Sequence, residues 1–315
     1  MKILVTGGFG FIGSNFINQI WSKYNFQSQE VSVVCIDSMT YAANPQNVNS
    51  EILKSSSFKH LEVDIANAVK VNNVLESESF DVCVHFAAES HVDRSISNPL
   101  IFAQTNFLGT ANLLDSWSRY QKGRFVHIST DEVYGSISIG FSDELAPLNP
   151  SSPYSASKAG SDLLVLSHSK TFGTDVVVTR CTNNYGPGQN SEKFIPKSIE
   201  MLSLKQPVPL YGDGLYIREW IHVTDHVNAI IELVESPKLK HQVYNIGSGI
   251  EKTNLEILDL LTEIIPDTQN IFNHVEDRAG HDRRYALDSS RIKNELGWNP
   301  QIDLRAGLND LVTHY

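Results

Sequence analysis

The chain has 315 residues, of which 41% are hydrophobic and 19% charged, and carries a formal net charge of −11. That length can bury a sizeable core, and the composition excludes a disordered or fibrous chain. The acidic balance argues against a generic nucleic-acid binder, and no apolar run approaches the roughly 18 residues of a membrane span.

In chain order, "MKILVTGG" runs straight into a strand with no basic region or cleavage site, so no secretion signal is expected and the reading is cytoplasmic. Strand candidates lie at 2–7, 31–37, 58–64, 81–88, 124–129 and 175–181, all short apolar runs. Between them, Phe16, Ile17, Ile20 and Trp21 recur at helical spacing, and 101–120 and 155–172 read as further helices. Near-continuous apolar strands alternating with helices predict a parallel sheet covered on both faces, a doubly wound α/β fold. Beyond about residue 182 Gly and Pro become denser, and one returning unit at about 218–246 is expected to rejoin the large sheet. Helix candidates at 254–265 and 289–298 complete the tail. The expected division is therefore 1–181 plus 218–246 as one domain, with 182–217 plus 247–315 as a smaller C-terminal α/β lobe sharing a cleft with it. Cys35, Cys83 and Cys181 sit in strand-like runs without zinc-site spacing, so buried free thiols and no metal are expected.

The first turn carries the clearest chemistry. "VTGGFGFIGS" places Gly7, Gly10 and Gly13 between a strand and a helix. Glycines there allow unusual torsions and close approach of a pyrophosphate, while the helix N-terminus supplies N–H donors. Asp37 closes the second strand, where a carboxylate can hydrogen-bond a ribose diol and repel a 2′-phosphate, favouring NAD over NADP. This is a Rossmann-type arrangement; read alone, the glycine turn could also serve packing. Asp64 ends the third strand, a usual place for an adenine contact.

Tyr154 and Lys158 lie one helical turn apart in "SPYSASKAG", hence on one face. An ammonium beside a phenol favours phenolate and is expected to pull the tyrosine pKa toward neutrality. Such a phenol can take a proton from a sugar hydroxyl as hydride leaves the same carbon. In "STDEVYG", Asp131 and Glu132 stand side by side after a buried strand. By themselves they read either as a solvated acidic turn or as two catalytic acids whose pKa values diverge in a closed site.

The ordered motifs "VTGGFGFIGS", "HFAAESHVDRSI", "TNFLGT", "ISTDEVYG", "SPYSASKAGSD", "NNYGP", "EKFIP", "IREWIHVTDH", "YNIGSG" and "GHDRRYALD" span the chain. Together they resemble the extended short-chain dehydrogenase/reductase family, in its nucleotide-sugar 4,6-dehydratase branch. The resemblance implies dehydration of a nucleotide hexose, most closely dTDP-glucose, with NAD kept as a bound cofactor. Tyr154 and Lys158 would serve the oxidation at C4, Glu132 would remove the C5 proton, Asp131 would protonate the leaving 6-hydroxyl, and Thr130 would aim the 4-oxygen. For NAD it implies Gly7, Gly10, Phe11, Ile12, Gly13, Asp37, Ser38, Thr40, Asp64, Ile65, Phe86, Ala87, Ala88, Glu89, Thr105, Tyr154, Lys158 and Asn184. For the nucleotide sugar it implies Ser90, Thr130, Asn183, Lys193, Phe194, Pro209, Tyr211, Arg218, Asn254, Arg278 and His281, the cations meeting the diphosphate.

Several readings stay open beside this one. They are the same chemistry on UDP-glucose or another hexose, a 4-epimerase or decarboxylase, and an NAD-binding regulatory protein. Relatives that only epimerise or decarboxylate do not usually carry the Asp-Glu pair. His91 and Arg94 read as functional groups or as a loop anchoring itself, and Arg283 and Arg284 as phosphate ligands or structural pairs. The stretch before Tyr154 is short for the family, the chain closes early at Tyr315, and Phe9 stands where a smaller residue is usual. By resemblance, helices at about 101–120 and 155–170 would pair across a two-fold axis as the four-helix bundle of a homodimer.

Overall fold

The computed structural model describes residues 1–26, 31–268 and 271–313; Tyr315 lies outside them. Its strands are β1 (Lys2–Thr6), β2 (Ser32–Asp37), β3 (Phe58–Glu62), β4 (Val82–His85), β5 (Arg124–Thr130) and β6 (Val176–Cys181). Then come β7 (Asn183–Tyr185), β8 (Val208–Tyr211), β9 (Ile217–His222), β10 (Val243–Ile246), β11 (Glu251–Thr253) and β12 (Phe272–Val275). Seven form one sheet in the order β10-β6-β5-β4-β1-β2-β3, all pairs parallel.

The strands are apolar throughout because both faces are covered. Ile3, Leu4 and Val5 alternate between faces, yet all three are fully buried. Helices Phe11–Phe26 and Val223–Glu235 cover one face through Phe16, Ile17, Ile20, Ile230 and Ile231. Helices Ala68–Ser77, Thr110–Tyr120 and Pro153–Phe172 cover the other through Leu75, Leu113, Trp117 and Val165. Each such aliphatic side chain contributes about 1.5–3 kcal/mol by leaving water. The chain runs outward from β1 to β3 and then crosses back to β4, so strand order reverses between β1 and β4. A crevice opens at the carboxyl ends of strands at such a reversal.

Smaller sheets, β11-β9-β7 and β12-β8, surround a separate core built on Tyr185, Ile199, Trp220, Leu258 and Leu308. The returning unit divides differently from expectation. Helix Val223–Glu235 and β10 rejoin the large sheet, but β9 pairs with β7 and β11 instead. Its apolar alternation marks a strand without naming its partner. The expected helix over 101–120 is also interrupted, with a π segment at Ala103–Gly109 between Pro99–Phe102 and Thr110–Tyr120. Buried Asn106 sits in the widened turn. Its amide accepts from Glu89 N (2.8 Å) and donates to Glu89 O and Ser157 Oγ (3.0 and 2.8 Å). Its carbonyl accepts from the Thr110 and Ser161 hydroxyls (2.5 and 2.7 Å), which compete for the helical bond. Among the described residues no helix is long and apolar enough to cross a membrane, and all three cysteines are buried free thiols.

Candidate active site

Two adjoining cavities, about 360 and 260 Å³, follow the reversal point and share Gly7, Gly10, Ala42, Phe86 and Ala88. The first is lined by Asp37, Ser38, Thr40, Asp64, Ile65, Ala87, Glu89 and Thr105. The second holds Phe11, Ile12, Gly13, Ser90, Thr130, Asp131, Glu132, Tyr154, Lys158, Asn183, Asn184 and Lys193. Every cofactor residue and every catalytic residue expected from sequence thus borders one continuous cleft.

The glycine turn is built by crowding. Gly7 has φ +66, and a Cβ there would stand 2.7 Å from Ala87 Cα. A Cβ on Gly13 would land on the Gly7 carbonyl oxygen. Gly10 N donates to that oxygen at 3.1 Å, closing the turn into the helix. Asp37 braces it: one carboxylate oxygen accepts from Phe9 N (3.0 Å) and the other from Met39 N (2.9 Å). Each oxygen keeps a lone pair for a ligand hydroxyl. The Phe9 side chain turns into the core against Phe58 and His60, which is why its bulk is tolerated.

At the other end β5 stops at Thr130, and Asp131–Tyr134 form a 3-10 turn in which Thr130 Oγ1 accepts from Glu132 N at 3.3 Å. Tyr134 anchors the turn, donating to Asn245 Oδ1 and accepting from Arg180, both at 2.8 Å. Helix Pro153–Phe172 begins with a capping box of Ser152 and Ser155, with Pro153 at its first position. That start presents Tyr154 to the cavity and Lys158 one turn further in.

The two acids sit in different surroundings. Asp131 is 2% exposed, accepts one hydrogen bond from Thr130 Oγ1 (3.1 Å), and its Oδ2 has no partner. Burial, then the charges of Glu132 and Glu219, hold its pKa well above the ordinary carboxylate value. Glu132 is also raised by burial, but Arg278, Arg218 and Lys193 oppose the shift. Burial thus acts with like charge on Asp131 and against cations on Glu132, so the two acids are pushed upward to different extents.

The expectation for Tyr154 is corrected. Burial pushes its pKa well above 10, Glu132, Cys181 and Asp131 push it further, and only a Thr130 hydrogen bond pulls it down. Lys158 is spent elsewhere. Its Nζ donates to Ile128 O (2.7 Å), and burial lowers its pKa to about 8. Desolvation of the phenol outweighs the ammonium in this closed pocket.

The remaining residues expected at the substrate lie outside the two cavities. Phe194 opens helix Phe194–Ser203, Pro209 and Tyr211 belong to β8, and Asn254 opens helix Asn254–Ile264. Tyr211 donates to Asp93 (3.3 Å), to which Arg278 also reaches at 3.5 Å. Arg218 is buried, donates to Ile217 O and Asp282 O, and stacks on Tyr285 at 4.5 Å. His281 stacks on Tyr216 and bonds Asp277 at 2.7 Å. The structural alternative holds for two arginines: Arg283 pairs with Asp213 and Arg284 with Glu251. Wall residues without a signal in the sequence include Ala42, Ala43, Gln104, Ser129, Cys181, Gln189 and Glu192, small or polar groups that no spacing singles out.

The model of the GDP-mannose 4,6 dehydratase family matches residues 4–311. A dTDP-glucose 4,6-dehydratase from Streptomyces niveus is 45% identical, the match covering 100% of this chain and 93% of that protein. A crystal structure of a dTDP-glucose 4,6-dehydratase from Streptomyces venezuelae with NAD bound superposes with a TM-score of 0.95 at 43% identity, covering 100% of this chain and 97% of that one. A UDP-glucose 4-epimerase from Thermotoga maritima with UDP-glucose shares the fold at a TM-score of 0.90 and 28% identity, covering 100% and 98%. With the glycine turn, Tyr154-Lys158 and the acid pair in one cleft, and with that match across nearly its whole length, the chain belongs to the GDP-mannose 4,6 dehydratase family.

Proposed function

We propose that the protein is an NAD-dependent hydro-lyase that converts dTDP-glucose to dTDP-4-keto-6-deoxyglucose and water. The observation that carries the reading is the split environment of Asp131 and Glu132 beside Tyr154. The cradle fits a dinucleotide, since the cleft runs past the N-terminus of helix Phe11–Phe26 and Asp37 keeps a lone pair on each carboxylate oxygen for a ribose hydroxyl. NAD, when bound, supplies a hydride acceptor for C4, a hydride donor for C6 and a cationic ring.

The chain supplies the proton chemistry. Tyr154, whose raised pKa the cationic ring would offset, takes the 4-hydroxyl proton while the C4 hydride departs, with Thr130 hydrogen-bonding the phenol. The resulting ketone acidifies C5–H, which Glu132 removes. Asp131 gives its proton to the 6-hydroxyl, which leaves as water; Glu132 returns its proton to C5 as C6 is reduced, and proton exchange with water resets Tyr154 and Asp131. Arg278, whose Nε is buried without a partner, and Arg218 and Lys193 offer the cationic face a nucleoside diphosphate requires. We assign the sugar nucleotide to the lobe 182–217 plus 247–315. Further parts of the reading are a homodimer, supported by exposed Leu100 (73%) and Leu163 (59%) on neighbouring helices, and a cytoplasmic location, supported by the free cysteines.

A panel of dTDP- and UDP-sugars analysed by mass spectrometry tests the reading. Loss of one water from dTDP-glucose without added reductant is expected; unchanged mass with a new epimer would overturn it. Sedimentation velocity tests the dimer.

A further inference from the structure

The mouth of the cleft is crossed by a contact that the chemistry above does not use. The Arg94 guanidinium lies over the Tyr41 ring at 3.6 Å and reaches Glu192 Oε2 at 3.3 Å. These residues come from three separate segments: one after β2, the helix Val92–Ser97, and the stretch before helix Phe194–Ser203. Glu192 itself lines the catalytic cavity with Lys193, Ala42 beside Tyr41 lines both cavities, and Ser90, four residues before Arg94, lines the catalytic one. Bracing runs alongside: Lys193 Nζ donates to Ser90 O (2.8 Å), His91 Nε2 lies 3.8 Å from Glu192, and Asn190 Oδ1 accepts from Glu192 N (3.0 Å).

We propose that Arg94 is a positioning residue that fastens this mouth by tying Tyr41 to Glu192, so that the dinucleotide stays in place between the two hydride transfers. The inference rests on the reading that the cleft holds NAD. That reaction oxidises and reduces the same sugar, and a cofactor lost in between would strand the ketone. A guanidinium suits the task because its flat face stacks on the ring while its edge donates to the carboxylate. The Arg94 side chain is 50% exposed and that of Glu192 21%, so the fastening sits at the rim, where it can open for loading.

The test uses the full chain saturated with NADH, with release triggered by excess NAD and followed by stopped-flow fluorescence. A rim ion pair is worth roughly 1.4- to 5-fold and an exposed cation–π stack roughly 2- to 5-fold, so Arg94→Ala should speed release by about 3- to 25-fold. Its melting temperature should stay close to wild type, and Arg94→Lys should lie in between. Tyr41→Leu removes the stack but not the ion pair, at a 42% exposed position, so it should speed release by at most about fivefold, and the double variant should match Arg94→Ala. Release within twofold of wild type in both single variants would overturn the proposal. A wild-type protein that takes up no NADH would instead overturn the functional reading beneath it.

Discussion

Replacing Asp131 by Asn should stabilise the protein while abolishing dehydration. In the fold this carboxyl is 2% exposed, accepts one hydrogen bond, leaves Oδ2 unpartnered and faces Glu132 and Glu219. Its folded pKa is therefore raised above the unfolded value, and the folded chain holds a proton that the unfolded chain has lost. Stability from this group is full below the ordinary carboxylate range and falls as pH climbs from there to the raised pKa. Asparagine carries no such cost. The variant's advantage should start near zero at low pH and grow by about 1.4 kcal/mol for each pH unit within that window. Thermal melts of both proteins at pH 5, 6 and 7 would read this as a widening gap, reaching at least about 1–2 °C at pH 7 for a chain of this size. A gap that stays constant with pH, or a variant less stable at pH 7 than at pH 5 relative to wild type, would refute the claim that Asp131 holds its proton.

Glu132→Gln should leave C4 oxidation alive and cut product formation by about 10²–10⁴-fold, so that NADH absorbance rises on adding substrate and decays slowly. Absent accumulation would argue against Glu132 as the C5 base. Gly13→Ala drives a methyl into the Gly7 carbonyl and should shift the helix start, lowering cofactor occupancy after desalting. Lys158 has its pKa lowered to about 8, so its ammonium is lost as pH rises through that value. Loss of its charged contact to Ile128 O should loosen the helix that presents Tyr154, so turnover should fall above about pH 8, and a kcat profile flat to pH 10 would contradict this bracing role.

The parts legible in the sequence were those whose chemistry is local. The Gly7-Gly10-Gly13 turn, Asp37 at a strand end and the one-turn spacing of Tyr154 and Lys158 each need only a few consecutive residues to define them. The π segment was not legible, because hydrophobic spacing over 101–120 matches an unbroken helix and the cause is the long-range pairing of Asn106 with Glu89 and Ser161. The sheet of β9 was hidden for the same reason, its pairing with β7 and β11 being tertiary. Tyr154 is the instructive case. Spacing put an ammonium beside the phenol, but the balance depends on burial and on two carboxylates brought by β5, which spacing does not report.

The central claim is that one sugar is oxidised at C4 and reduced at C6 within a single closed cycle. The direct measurement is turnover of dTDP-glucose carrying deuterium at C4, without added NAD, followed by NMR of the product. Deuterium found at C6 of a 4-keto-6-deoxy sugar is the result this account predicts. Deuterium retained at C4 of an epimer, or none at C6 of the product, would contradict it.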